Sequence, residues 1–83
     1  MLMAKMKVLG GITHSAEGWL RTIVAVKSKR EAAEILDVSL AYVNRYWAET
    51  GNQEEVETAM SAPGTAFVKP LDSKQPFRIA KTD

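Results

Sequence analysis

The segment from Trp19 to Val26 is the feature that most restricts how this chain can fold. It reads Trp-Leu-Arg-Thr-Ile-Val-Ala-Val, and its β-branched and aromatic residues favour an extended strand. Side chains alternate between the two faces of a strand, and here neither face is cleanly polar. We therefore expect helices to cover one face and another part of the chain to cover some of the second.

The residues around this strand predict the rest of a sheet. Met6 to Ile12 has the composition of a first strand, and Thr13 to Gly18 supplies the small and polar residues of a hairpin loop. Thr65 to Leu71 predicts a third strand, edged by Pro70 because proline cannot donate to a ladder. The Gly10–Gly11 pair lacks the downstream glycine and lysine of a phosphate-binding loop, which indicates a bulge or a close-packing point.

Two short helices are predicted after the hairpin. Ser28 and Glu31 have the spacing of a capping box, in which the carboxylate reaches back to the Ser28 amide, so a helix should run from about Lys29 to Leu36. Ser39 is placed to cap a second helix. Its apolar residues recur at i, i+3 and i+7, as a core stripe of Leu40, Val43 and Trp47.

A third helix is predicted beyond these two. Gly51 can take the left-handed conformation that ends the second helix, and Asn52 with Glu55 has the form of a second capping box. Residues 61–64, Ser-Ala-Pro-Gly, then stop the third helix.

The predicted fold class is α+β, with the element order β-β-α-α-α-β. A small antiparallel sheet, formed by the hairpin and the C-terminal strand, packs on a helix-turn-helix-like pair and a third short helix. We assign residues 1–71 to a single α+β domain and residues 72–83 to an extended or flexible C-terminal tail. The full chain of 83 residues has room for one domain only.

The composition narrows the classes of function. The chain has no cysteine, which excludes a disulfide scaffold and a thiolate metal site and suits a reducing cytoplasm. It has neither the apolar run of a signal peptide nor that of a membrane span, so we expect a cytoplasmic protein without membrane contact. His14 is the single histidine and has no spaced partner for metal or triad chemistry. We therefore expect no enzyme activity, no metal and no cofactor.

Residues 29–47 have the pattern of two short helices joined by a tight turn. A small residue is needed where the helices cross, and Ala33 meets that need. The positions expected to face inward are Ala32, Leu36, Val38, Val43 and Tyr46. Ala41, Asn44 and Arg45 would then lie on an outward surface, and Asn and Arg are the side chains that pair with adenine and guanine edges.

The run from Ala32 to Ser39, Ala-Ala-Glu-Ile-Leu-Asp-Val-Ser, resembles the helix-turn-helix of bacterial regulators and excisionases. The usual turn of that family reads Leu-Gly-Val-Ser, so this chain departs from it at Asp37, where a positive φ is required. It departs again in its third helix, which is acidic. The same pattern also describes a tight helix–helix corner that many proteins use without touching DNA.

A longer pattern spans about residues 20 to 71. Its parts are Ile23-Val24-Ala25, Ala32-Ala33, Val38-Ser39, Tyr46-Trp47, Glu49-Thr50-Gly51-Asn52, Glu55, Ala59, Pro63-Gly64 and Val68-Lys69-Pro70. It resembles small proteins encoded by bacteriophages and prophages. The resemblance implies a mobile-element context, in which short proteins regulate or inhibit host machinery, including defence systems.

The charges are unevenly distributed. Residues 1–47 hold seven Lys and Arg against four acids, residues 48–60 hold four acids and no base, and residues 61–83 hold four bases against two acids. The middle block is either a solvated helix face or a docking surface for a basic partner.

Two functions are consistent with these features. The first is a non-enzymatic, phage-type regulatory protein that contacts DNA or RNA through the helix-turn-helix-like element. Its candidate residues are Arg45, Asn44 and Ala41 at the bases, with Lys27, Lys29 and Arg30 on phosphates.

The alternative is a phage-type inhibitor or adaptor that binds a host protein complex, such as a defence system. It would use the acidic face of residues 49–57 or the strand that begins at Trp19, an aromatic expected to be exposed. Its candidate interface residues are Trp19, Arg21, Tyr42, Glu54, Glu55 and Glu57. An edge strand would also permit a homodimer.

Overall fold

The computed structural model describes residues 6–15, 18–71 and 74–80, which form a five-stranded antiparallel sheet and three helices. The elements in chain order are β1 (Lys7–Ser15), β2 (Gly18–Val26), α1 (Lys29–Leu36), α2 (Leu40–Tyr46), β3 (Ala48–Glu49), α3 (Gln53–Met60), β4 (Phe67–Pro70) and β5 (Arg78–Ile79). The strand order across the sheet is β3-β1-β2-β4-β5. The α+β prediction is confirmed, and two short strands, β3 and β5, add to the predicted order.

Several predicted features lie outside the described residues. They are the start of the predicted domain at 1–5, residues 16–17 of the predicted hairpin loop, and positions 72–73 and 81–83 of the predicted tail. The rest of that loop was predicted wrongly, because β1 continues to Ser15 and β2 begins at Gly18. Among the residues described, no helix is long and apolar enough to cross a membrane.

Strand β2 is central to the sheet, and both of its faces are covered. Val24 and Val26 point to the side of α1 and α2, whereas Ile23 and Ala25 point to the side of α3. The first cluster consists of Leu9, Val24, Val26, Ala32, Ala33, Val43 and Trp47. The second consists of Val8, Ile23, Ala25, Ala59 and Phe67. The apolar character of both faces of β2 therefore predicted its position correctly, and α3 is the element that covers the second face.

The start of α1 confirms the predicted cap with one difference. The Ser28 hydroxyl accepts from the Glu31 amide at 3.2 Å. The Glu31 carboxylate, however, accepts from the Lys27 amide at 2.9 Å and not from the Ser28 amide. Both bonds satisfy backbone donors at the beginning of the helix. The pattern is therefore that of a capping box in which Glu31 accepts from the amide of Lys27, one residue before the expected one.

The turn between α1 and α2 is formed by a residue in the left-handed conformation. Asp37 has φ 57° and ψ 47°, the only positive φ of a non-glycine residue in the described chain. The Asp37 amide donates to the Glu34 carbonyl at 3.3 Å, and the Val38 amide donates to the Ala33 carbonyl at 3.0 Å. These bonds close α1 and reverse the chain toward α2.

The end of α2 was predicted wrongly. The helix stops at Tyr46, and Trp47 is extended, with φ −113° and ψ 143°. Gly51 has no positive φ and does not end a helix. The physical reason lies elsewhere in the chain: β3 pairs with Leu9 and Gly10 of β1, so the chain must leave the helix before residue 48.

The Gly10–Gly11 pair is a close-packing point, as predicted. A Cβ on Gly11 would lie 2.6 Å from Cδ2 of the Trp47 ring, on the side of α2. A Cβ on Gly10 would lie 2.8 Å from Cζ of Arg21, on the side of α3. Two adjacent residues without side chains thus let a bulky group lie against each face of β1.

The segment after β4 lies beside it. Ile79 pairs with Phe67, Arg78 pairs with Val68, and the Ala80 amide donates to the Ala66 carbonyl at 2.9 Å. Phe77 packs against the second cluster. The described part of residues 72–83 is therefore extended and attached to the sheet through β4.

We expect Gly11→Ala to lower the free energy of unfolding by about 1–3 kcal/mol, because the added methyl group would overlap the Trp47 ring. Gly51→Ala is the matched control, since nothing lies within 4 Å of a Cβ at that position and its φ is ordinary. Urea denaturation followed by tryptophan fluorescence measures both. Equal stability of the two variants would contradict the packing of Trp47 on Gly11.

Candidate functional site

Only a small part of the surface of helix α2 is buried against the rest of the protein. It has seven residues and buries one of them, Val43, which packs with Trp47 one turn later against the sheet. The other side chains of the helix are exposed: Leu40, Ala41, Tyr42, Asn44, Arg45 and Tyr46. The helix that was predicted to face outward therefore does so.

Successive helical residues are rotated by about 100°, which places Ala41 and Arg45 roughly opposite the buried Val43. Asn44 lies on one flank of that outward ridge, beside Leu40. Leu40 is 39% exposed, so its predicted place on the core stripe is wrong. Arg45 makes no ion pair among the described residues. The outward ridge of α2 thus carries a cation that is free of acids.

Two tyrosines form the other flank. The Tyr42 and Tyr46 rings contact each other with centroids 4.8 Å apart, tilted by 46°, and the Arg45 guanidinium lies 5.7 Å from the Tyr46 centroid. Tyr42 is 37% exposed, so this candidate interface residue is accessible to a partner.

Tyr46 itself is 57% exposed, so its prediction as an inward residue is wrong. Val43 and Trp47, spaced i and i+4, occupy the face toward the sheet and leave Tyr46 beside Tyr42. That spacing was readable from the sequence, and it is the signal that could have identified the exposed tyrosine pair.

The predicted phosphate-contacting residues lie at the N-terminal end of α1. Lys27, Lys29 and Arg30 are all exposed, and none of them forms an ion pair within the described chain. Their side chains are free to contact a ligand in solution.

Arg21 and Glu55, two residues predicted for a protein interface, bind each other. Arg21 Nε donates to Glu55 Oε2 at 2.8 Å, and Arg21 Nη2 donates to Glu55 Oε1 at 2.9 Å. Glu55 is only 9% exposed and also accepts from the Thr50 hydroxyl at 2.8 Å. The pair ties β2 to α3, so both side chains bind within the protein and not to a partner.

The second predicted capping box is only half formed as a result. Asn52 Oδ1 accepts from the Glu55 amide at 3.0 Å, as expected of a cap. The Glu55 carboxylate does not return to the Asn52 amide, which donates to the Thr50 hydroxyl at 3.2 Å instead. The bidentate bond to a guanidinium is stronger than one to a neutral amide, so Arg21 takes the carboxylate.

The same contacts shift the ionisation of Glu55. The hydrogen bonds from Arg21 hold the pKa of Glu55 below its ordinary value, against the opposing effect of burial. The Thr50 hydroxyl and the positive charges of Arg21 and Lys69 act in the same direction as the Arg21 bonds. Glu55 is therefore the charged partner of a structural ion pair across the pH range in which proteins usually work.

A second exposed surface lies at the hairpin end. Trp19 is 59% exposed, as predicted, and the His14 ring packs edge-on against it at 4.7 Å between centroids. The Leu71 amide donates to the Trp19 carbonyl at 3.2 Å, and the Leu71 side chain is exposed beside it. Trp19 shares the face of β2 that carries Ile23, so this surface and α2 lie on opposite sides of the sheet.

The predicted acidic face is smaller than its sequence suggested. Glu49, Glu54 and Glu57 are exposed, whereas Glu55 is withdrawn to Arg21. Glu57 also accepts from the Gln53 amide group at 2.9 Å. Glu54 and Glu57 thus remain exposed on the side of α3, whereas Glu49 lies on the side of α2.

Three further features bear on the presence of another site: metal-ligating side chains, a cavity and a buried indole nitrogen. The described residues contain no group of three or more His, Asp or Glu side chains that could hold a metal ion. A shallow cavity of about 380 Å³ is lined by Met6, Lys7, Lys27 and Glu49. The Trp47 Nε1 is buried with no hydrogen-bond partner in the described chain, so this indole contributes by packing.

The chain matches no protein-family model, no curated protein and no solved structure. A function therefore has to be inferred from the exposed surfaces and their chemistry.

We expect Glu55→Gln to destabilise the protein by about 1–3 kcal/mol at neutral pH, because Arg21 loses its charged partner. The folded-state pKa of Glu55 is lowered from 4.5, so the stability that this carboxylate provides is present above that pH and is lost as pH falls through the folded value. The difference between wild type and variant should then shrink in acid.

Urea denaturation at about pH 7 and about pH 3 measures that difference. Glu54→Gln is the control, because Glu54 is an exposed acid in the same helical turn. A gap between wild type and Glu55→Gln that stays constant with pH would contradict the role of the ion pair.

Proposed function

We propose that the protein is a non-enzymatic, phage-type regulatory protein that contacts nucleic acid through α2. The observation that carries this proposal is the outward placement of α2, with Arg45 free of acids on its ridge. Arg45 and Asn44 would contact bases, and Ala41 leaves room for a close approach. The left-handed Asp37 supports the proposal, because it joins α1 and α2 by a tight turn of the kind that the resemblance implies.

The positively charged side chains at the N-terminal end of α1 would add to the binding surface of α2. Lys27, Lys29 and Arg30 would contact phosphates, which adds affinity without sequence preference and makes binding sensitive to salt.

We expect Arg45→Ala to weaken nucleic-acid binding by about 1–3 kcal/mol at low salt. Fluorescence anisotropy with labelled DNA and RNA, repeated over a range of salt concentrations, measures this loss. Lys74→Ala is the matched control, because it removes one exposed positive charge from another part of the chain. Equal effects of the two substitutions, or no retention of any nucleic acid at low salt, would exclude this function.

A second candidate function is binding to a host protein complex through the surface of Trp19, His14 and Leu71. Trp19 favours it, because a large aromatic that is more than half exposed is typical of an interface hot spot. Glu54 and Glu57 on the same side of the sheet would contact basic groups of the partner.

For this candidate we expect Trp19→Ala to weaken binding to the partner about tenfold or more, while Arg45→Ala leaves it unchanged. Titration of a purified host complex by calorimetry measures both variants. A complex that is bound equally well by wild type and Trp19→Ala argues against this surface.

A further inference from the structure

We infer that the nucleic acid bound at α2 is single-stranded, and that its unpaired bases stack on Tyr46 and Tyr42. In this mode Arg45 contacts the adjoining phosphate and not a base edge. This inference rests on the proposed function and specifies its ligand. It concerns the tyrosine flank of α2, which the duplex-reading pair of Asn44 and Arg45 does not include.

The tyrosine pair is already arranged as a platform. The Tyr42 and Tyr46 rings contact each other, and more than half of the Tyr46 surface faces solvent. The contact restricts both rings before any ligand arrives, which lowers the entropy cost of stacking a base on them. Tyrosine offers a flat apolar face to a base of any sequence.

The charge of this flank fits a phosphate backbone. Helix α2 contains Arg45 and no acid, and the Arg45 guanidinium lies over the Tyr46 ring, 5.7 Å from its centroid. A base stacked on the exposed part of the tyrosine pair would therefore place its phosphate near a cation. Alternating aromatic and basic groups are the usual features of surfaces that bind single strands.

A duplex does not use these tyrosines. Its bases are stacked on one another, so only their edges are accessible in the grooves. The helix is about 10 Å long, and one of its flanks is filled by two bulky rings. In a groove those rings would meet sugar and phosphate, whereas an unpaired base presents the ring face that tyrosine can stack on.

The experiment compares one oligonucleotide in three forms: the labelled DNA strand, the RNA strand of the same sequence, and the duplex of the DNA strand with its complement. Anisotropy at low salt should show tighter binding of one or both single strands than of the duplex. Tyr46→Ala should weaken binding to the strand about tenfold, and Tyr46→Phe should keep most of it because the ring remains.

Trp19→Ala is the matched control, because Trp19 is an aromatic of nearly equal exposure on the opposite side of the sheet. It should bind the strand as wild type does. Upfield shifts of the Tyr46 ring protons on titration with unlabelled strand would report stacking directly. Circular dichroism verifies that Tyr46→Ala remains folded.

The failures of this inference and of the proposed function are distinct. Tighter binding of the duplex, with Asn44→Ala costing more than Tyr46→Ala, would overturn the single-strand inference and leave nucleic-acid binding through α2 in place. No binding of either strand or of the duplex would overturn both. Equal losses in Tyr46→Ala and Trp19→Ala would overturn stacking at this flank.

Discussion

The packing of the Trp47 indole on Gly11 determines the geometry of the middle of the chain. The ring occupies space that a side chain at residue 11 would fill, and it anchors the end of α2 to the sheet. Because Trp47 is extended, the chain can continue at once into β3 beside β1. With Trp47 and Val43 turned to the sheet, the rest of α2 must face solvent. The exposed surface of this helix is thus a consequence of how its last turn is held.

The other face of β1 repeats this arrangement with polar groups. Gly10 leaves room for the Arg21 guanidinium, which reaches Glu55 at the start of α3. The apolar contact therefore fixes α2 on one face, and the ion pair fixes α3 on the other. A half-buried pair with bidentate geometry contributes orientation as much as stability, since its hydrogen bonds form in one arrangement only. The two adjacent glycines position a helix on each side of a single strand.

Most features that depend on residues close together in the sequence were predicted correctly. The three longer strands β1, β2 and β4, the caps at Ser28, Ser39 and Asn52, and the left-handed Asp37 all follow from residue types within a few positions of one another. The end of α2 could not be found in this way, because it is fixed by strand pairing with residues almost forty positions earlier. The exposure of Tyr46, in contrast, could have been predicted, because the i, i+4 spacing of Val43 and Trp47 places those two residues on the face toward the sheet. Of the candidate site, the outward residues of α2 and Tyr42 were predicted, and the exposure of Tyr46 was not.

The position of α3 changes how the acidic block bears on nucleic-acid binding. In the sequence, four acids follow α2 closely, which argues against an anionic ligand. In the structure Glu54 and Glu57 lie on α3, across the sheet from α2, and the charge of Glu55 is balanced by Arg21. Only Glu49 stays on the side of α2, near Lys27. Charges separated by a sheet and its side chains are largely screened at ordinary salt concentrations, so the repulsion implied by sequence proximity is weak at Arg45. The sheet separates α2 from α3. An acidic and a basic surface that are adjacent in the sequence therefore lie apart in the structure.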